Sequence, residues 1–142
     1  MKSHTSTHFR GLATSTVRIG TDLVSCERIR KSVSNETFLA KVFHPNEIDA
    51  CRKKPHSEQS FAGRFAAKEA FLKALGTGLY TQGMGPQDVW VESDTNGRPL
   101  LCLSEAAQTI LQKHGNCIGL DLSISHDSNF AIATVVIQFN LN

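Results

Sequence analysis

The sequence predicts an α+β domain: one strand, several helices, a hairpin, a further helix and two closing strands, in the order β-α(n)-β-β-α-β-β. Three observations carry that prediction. Leu120, Leu122 and Ile124 alternate with Asp121, Ser123 and Ser125, the period of two expected of a half-buried strand. Residues 57–75 place Phe61, Phe65 and Leu72 at helical spacing and run without a break into Gly76, a natural C-terminal stop. Asn96-Gly97 separates two short apolar runs, 88–93 and 99–103, and this dipeptide is a strong hairpin signal because both residues tolerate positive φ.

The chain has 142 residues, which suits one domain with a modest core. Its composition, 40% hydrophobic and 20% charged, is that of an ordinary globular protein. A net charge of +2 is too small to imply nucleic acid, and no basic stripe with interleaved aromatics is present. No apolar run approaches the roughly 20 residues needed to span a bilayer. Arg28, Arg30 and Lys31 form one basic group and Arg52, Lys53 and Lys54 another; each is either a solvated surface or a grip for an acidic partner or phosphate. The four cysteines, at 26, 51, 102 and 117, have no C-x-x-C spacing, so reduced thiols in the cytoplasm are expected.

The remaining elements follow in order. Residues 1–16 are rich in Ser, Thr and His with no acidic residue. They read as a flexible extension or, by composition, an organelle transit peptide, leaving residues 17–142 as the domain. Residues 17–24 read as the first strand. Ser25 caps a short helix to Val33, and a further turn or two covers Glu36 to Val42. Pro45 suits the first position of a third helix and Glu47 its first turn; that helix ends by Lys54, ahead of Pro55. Ser104 caps a helix that closes at Gly115. His126 to Asn129 is a turn, and Phe130 to Phe139 is an apolar, central last strand.

On a helical wheel Glu69 falls inside the apolar stripe of the 57–75 helix, flanked by Phe65, Ala66, Leu72 and Lys73. A carboxylate there must be paired, protonated or bound to a metal. It is therefore either one half of a Glu69–Lys73 pair four residues apart, or a ligand of a divalent cation with Lys73 on a phosphate. Asp22, at the end of the first strand, is either a second metal ligand or a helix cap. Gly20 beside it permits a close backbone approach. The glycine loop from Gly76 to Gly85 is either plain helix termination or a wrap for a pyrophosphate. It is not a Walker A loop, because its glycines follow a helix. Ser125 and His126 at a strand end are either a phosphate site or ordinary turn residues.

Taken together, residues 17–140 resemble the holo-[acyl-carrier-protein] synthase group of 4′-phosphopantetheinyl transferases. The resemblance rests on I-G-T-D-L-V-x-x-x-R (Ile19–Arg28), F-H-P-N-E-I (Phe43–Ile48), F-A-G-R-F-A-A-K-E-A-F-L-K-A-L-G-T-G (Phe61–Gly78), N-G-R-P (Asn96–Pro99) and S-I-S-H-D (Ser123–Asp127). It implies that fold, and transfer of the phosphopantetheine arm of coenzyme A to a serine of an apo acyl carrier protein, with Mg2+, in fatty acid synthesis. It implies Asp22 and Glu69 as magnesium ligands and Lys73 beside the transferring phosphate. Gly76, Thr77, Gly78, Gly97, Pro99, Ser125 and His126 would contact coenzyme A, and Arg28 and Arg30 the carrier protein. It also implies a homotrimer with active sites between subunits. Members usually begin near the position of Val17, so the first 16 residues depart from the pattern. Two other readings of the same residues are a magnesium-dependent phosphohydrolase of coenzyme A and a module that binds coenzyme A or a carrier protein without chemistry.

Overall fold

The computed structural model describes residues 14–77, 80 and 83–140. His4, His8, Gly78 and most of the N-terminal extension lie outside them. The elements are β1 (Ser15–Ser25), α1 (Cys26–Val33), α2 (Glu36–Val42), α3 (Pro45–Arg52), α4 (Ser57–Leu75), a 3-10 turn (Pro86–Asp88), β2 (Val89–Ser93), β3 (Pro99–Leu103), α5 (Glu105–Lys113), β4 (Asn116–His126) and β5 (Phe130–Asn140). The long strands form an antiparallel sheet in the order β1-β5-β4, with β5 central as expected, and β2 and β3 form a separate hairpin.

Local chemistry starts and stops these elements. The Ser25 hydroxyl accepts from the Arg28 N–H at 3.3 Å to open α1. Asn35 caps α2 through Thr37 and Phe38. His44 and Glu47 form a capping box at α3, and Ser104 accepts from the Ala107 N–H to open α5. Each such cap supplies an acceptor that the first helical turn lacks, at about 1 kcal/mol. α4 ends at Gly76, whose φ of 84° is left-handed. Its N–H donates to Lys73 O, and the Thr77 N–H to Leu72 O at 3.0 Å, the pattern of a Schellman cap. Arg18 of β1 adds a hydrogen bond to Leu75 O at 2.7 Å and so ties the strand to the helix end.

The core lies between α4 and the inner face of the sheet. Along β5, Ala131, Ala133, Val135, Ile137 and Phe139 are buried while the alternate residues face away. Small side chains let the layers approach: Ala66, Ala67 and Ala70 of α4 are fully buried. Gly20 of β1 is the closest point, because a Cβ there would lie 1.9 Å from Ala70 O and 2.5 Å from Ala74 N. Phe43 and Phe61 meet edge to face at 4.9 Å and close the α2–α3 side. Each buried aromatic contributes about 2 kcal/mol by removal of apolar surface from water.

Several boundaries move. β1 begins at Ser15, not Val17, because Ser15 and Thr16 pair with Asn140 and Phe139 of β5. β4 begins at Asn116, four residues early, and a bulge between Cys117 and Gly119 breaks the alternation that marks the rest of it. It also runs through His126, so the turn is shorter than expected. α3 stops at Arg52. The hairpin loop spans Asp94 to Arg98: Gly97 N–H donates to Asp94 O, and the Asp94 carboxylate accepts from the N–H groups of Asn96 and Arg98. Asn96-Gly97 is therefore part of a five-residue loop closed by Asp94, the connection that the two expected strands leave between them.

α4 is buried on almost every side, not along a single stripe. Lys68, on the far side from the sheet, is fully buried. Its amine lies 2.5 Å from Glu47 Oε1 of α3, donates to Pro86 O at 3.1 Å, and also donates to Val89 O. Glu47 in turn accepts from the His44 N–H at 3.1 Å and the Val91 N–H at 3.0 Å.

Candidate active site

Asp22 lies on the core-facing side of β1, opposite Ala133 of β5, and so looks toward α4. Glu69 and Lys73 stand one turn apart on the side of α4 that meets β1. The Gly20 contact sets the distance between the two elements just before Asp22. The result is a cleft of about 440 Å3 whose walls include Asp22, Ser25, Arg28, Ser32, Phe65 and Glu69.

The pairing inside it differs from the simple i,i+4 expectation. Lys73 pairs with Asp22, Nζ to Oδ1 at 2.9 Å, and also donates to Thr21 O at 3.1 Å. Asp22 is mostly shielded, its side chain 17% exposed, whereas Lys73 is 55% exposed and keeps its amine at the surface. Asp22 does not cap α1; Ser25 does. Glu69 is half-buried and, among the described residues, its carboxylate has no hydrogen-bonding partner. Burial holds its pKa above the ordinary carboxylate value, Asp22's charge pushes the same way, and Lys73 opposes them. A carboxylate placed against a second carboxylate with no protein donor is the arrangement a cation relieves.

The donor set fits a hard divalent ion. Asp22 and Glu69 offer carboxylate oxygens, and no group of three or more His, Cys, Asp or Glu side chains gathers among the described residues. Mg2+ characteristically takes one or two carboxylates and completes its octahedron with water and substrate phosphate. Zn2+ sites are normally built from three or four protein ligands.

The other expected contacts stand elsewhere. Arg98 and Pro99 line a separate hollow of about 420 Å3 with Asp121, Ser123, Thr134 and Val136, and it shares no wall residue with the first. Arg98 pairs there with Asp121 at 2.6 Å. Gly97 sits at the exposed hairpin tip, and Ser125 and His126 are exposed at the end of β4. Within one chain these residues are not brought to Asp22 and Glu69. Gly76 and Thr77 are close to Lys73, and their N–H groups are engaged by the carbonyls of α4. Together they end the helix one turn beyond Lys73. Arg28 stands at the rim of the cleft, and among the described residues its guanidinium has no hydrogen-bonding partner. Arg30 turns to Glu27, with hydrogen bonds of 2.7 and 2.9 Å.

A family model for the 4′-phosphopantetheinyl transferase superfamily matches residues 18–135. The chain belongs to that superfamily. A holo-[acyl-carrier-protein] synthase of Geotalea daltonii is 43% identical over 121 residues, covering 84% of this chain and 95% of the relative. Among solved structures, the Helicobacter pylori holo-[acyl-carrier-protein] synthase in complex with coenzyme A matches with a TM-score of 0.71 at 38% identity, over 84% of this chain and 98% of that one. The Neisseria meningitidis synthase matches with a TM-score of 0.75 at 31% identity, over 84% and 96%. In this chain α4 carries Glu69 and Lys73, and the strand beside it carries Asp22. No described helix is long and apolar enough to cross a membrane.

Proposed function

We propose that this chain transfers the 4′-phosphopantetheine arm of coenzyme A to a serine hydroxyl of an apo acyl carrier protein, as a cytoplasmic enzyme supplying fatty acid synthesis. The observation that carries the reading is the convergence of Asp22 and Glu69 on one cleft, with Lys73 ion-paired to Asp22 and a free arginine at the rim. The serine oxygen forms a bond to the pantetheine-bearing phosphorus. The pyrophosphate P–O bond breaks, and adenosine 3′,5′-bisphosphate leaves.

Each residue has a part that follows from its place. Asp22 and Glu69 would hold Mg2+, which would supply charge neutralisation at the pyrophosphate. Lys73, anchored by Asp22, presents its exposed amine to the departing phosphate and offsets the negative charge that builds there. The serine proton would pass to Glu69 or to a water bound beside it. Phe65 supplies an apolar wall that excludes bulk water. Arg28 offers an unengaged guanidinium to an acidic carrier helix. Arg28→Ala should raise the KM for the carrier protein about tenfold with little change in kcat. Added salt should weaken the wild type toward the variant; steady-state kinetics at two ionic strengths check this.

A homotrimer completes the site in this reading. Val17, Ile19 and Leu23 of β1 are 62%, 65% and 62% exposed. They continue across the outer face of the sheet into Phe130, Ile132 and Val136 of β5. A patch of this kind on a soluble domain marks an association surface. The Arg98–Pro99 hollow opens beside it, so a neighbouring copy seated there would set the Gly97, Pro99, Ser125 and His126 group against the Asp22 and Glu69 cleft. Ile19→Asp is expected to give a monomer by light scattering and to remove most of the activity. A variant that stays trimeric, or a fully active monomer, would contradict the shared site.

The function itself is tested by following bisphosphate release from coenzyme A with and without apo carrier protein. Release only in the presence of carrier is the expected result. Equal release without it would make the chain a phosphohydrolase.

A further inference from the structure

We infer that the buried Glu47–Lys68 pair is a positioning device for the metal site: it fixes the roll of α4 about its own axis and hence the aim of Glu69. The inference rests on the reading of Glu69 as a metal ligand. Lys68 immediately precedes Glu69, and successive helical residues point about 100° apart, so whatever fixes the azimuth of one fixes the other.

Elsewhere α4 is held by packed apolar side chains and, near its C-terminal end, by Lys73 on Asp22 and by Arg18 on Leu75 O. Toward the sheet α4 presents Ala66, Ala67, Ala70 and Ala74, all buried, and apolar contact between small side chains is non-directional. Lys68 is different. Its ammonium has three N–H donors, and three acceptors on three elements take them: Glu47 of α3, Pro86 of the 3-10 turn and Val89 of β2. Glu47 is held equally firmly, by the N–H groups of His44 and Val91. All three ammonium donors and both carboxylate oxygens are engaged. An apolar pair of the same volume would hold the elements together about as well; what the ion pair adds is direction.

The test uses Glu47→Gln combined with Lys68→Met. The glutamine retains an acceptor for the Val91 N–H, and the methionine fills the volume of the lysine stem. Mn2+ is titrated in the presence of coenzyme A, and kinetics are measured with carrier protein, at a temperature where circular dichroism shows each variant folded. The expected result is a rise of about tenfold in the Mn2+ Kd and a fall of about tenfold in kcat, as for other residues that orient metal ligands, with the carrier KM unchanged. Leu111→Ala, in α5 away from α4, lowers Tm by a core deletion but should leave the Mn2+ Kd alone. A wild-type Mn2+ Kd in the double variant overturns the inference, as does an equal shift in Leu111→Ala, which would mean that general loosening is enough. Should the double variant not fold, Glu47→Gln alone is measured in the same way. A rise of about threefold supports the inference, and no change counts against it. Glu69→Gln is titrated alongside: if it binds Mn2+ like the wild type, the metal reading fails and this inference falls with it.

Discussion

Glu69→Gln should lower kcat by about a thousandfold or more while leaving the protein as stable as before, or more so. The two effects have one cause. Glu69 is half-buried, faces the charge of Asp22 and has no hydrogen-bonding partner among the described residues. In the free protein its ionised form is disfavoured, and a neutral amide of the same shape relieves this, with Tm rising by about 2 °C at neutral pH. The sign fixes the pH dependence. A carboxyl whose pKa is raised on folding makes the native state bind more protons than the unfolded chain between its ordinary value of 4.5 and the folded value. The wild type therefore loses stability as pH rises through that window. The advantage of the Gln variant should be present at neutral pH and absent below pH 4.5, where both states of the wild type carry the proton. Thermal unfolding at the two pH values checks this. A large loss of Tm in Glu69→Gln would mean that the carboxylate holds the fold instead of serving the site.

Gly20→Ala should have the largest effect on folding of any alanine substitution at a described glycine. The added Cβ would fall 1.9 Å from Ala70 O and 2.5 Å from Ala74 N. Both are backbone atoms of α4, which cannot swing aside as a side-chain tip would. Either β1 or α4 must shift by more than an ångström, at a cost of about 3 kcal/mol or more. The same shift separates Asp22 from Lys73 and Glu69, so activity should fall further than the folded fraction does. Chemical denaturation and the specific activity of the folded fraction measure the two losses separately. Wild-type stability in Gly20→Ala would mean that β1 and α4 do not approach as closely as described.

Much of this site can be read from the residues alone, and its failures have physical reasons. The α4 helix, its glycine stop and the central place of β5 follow from periodicity and composition, because those patterns are local. Gly20 as a point of close approach is legible beside an aspartate at a strand end. The partner of Lys73 is not: two candidate carboxylates, Glu69 and Asp22, lie one turn away and on another element, and only the tertiary fold selects Asp22. Lys68 is missed for the opposite reason. A lysine on a wheel is assigned to solvent by default, and nothing in the sequence joins it to Glu47, 21 residues away. The start of β4 is hidden by the bulge at Cys117–Gly119. The N-G-R-P and S-I-S-H-D motifs point to residues that one chain leaves apart from the carboxylates, since a site shared between copies has no signature in the spacing of either.

The central claim is tested most directly by the intact mass of an apo acyl carrier protein after incubation with this protein, coenzyme A and Mg2+. The account predicts a gain of one phosphopantetheine arm, absent with a chelator and absent with Glu69→Gln. An unchanged carrier mass across a panel of apo carriers, or a gain that survives both the chelator and the loss of Glu69, would contradict it.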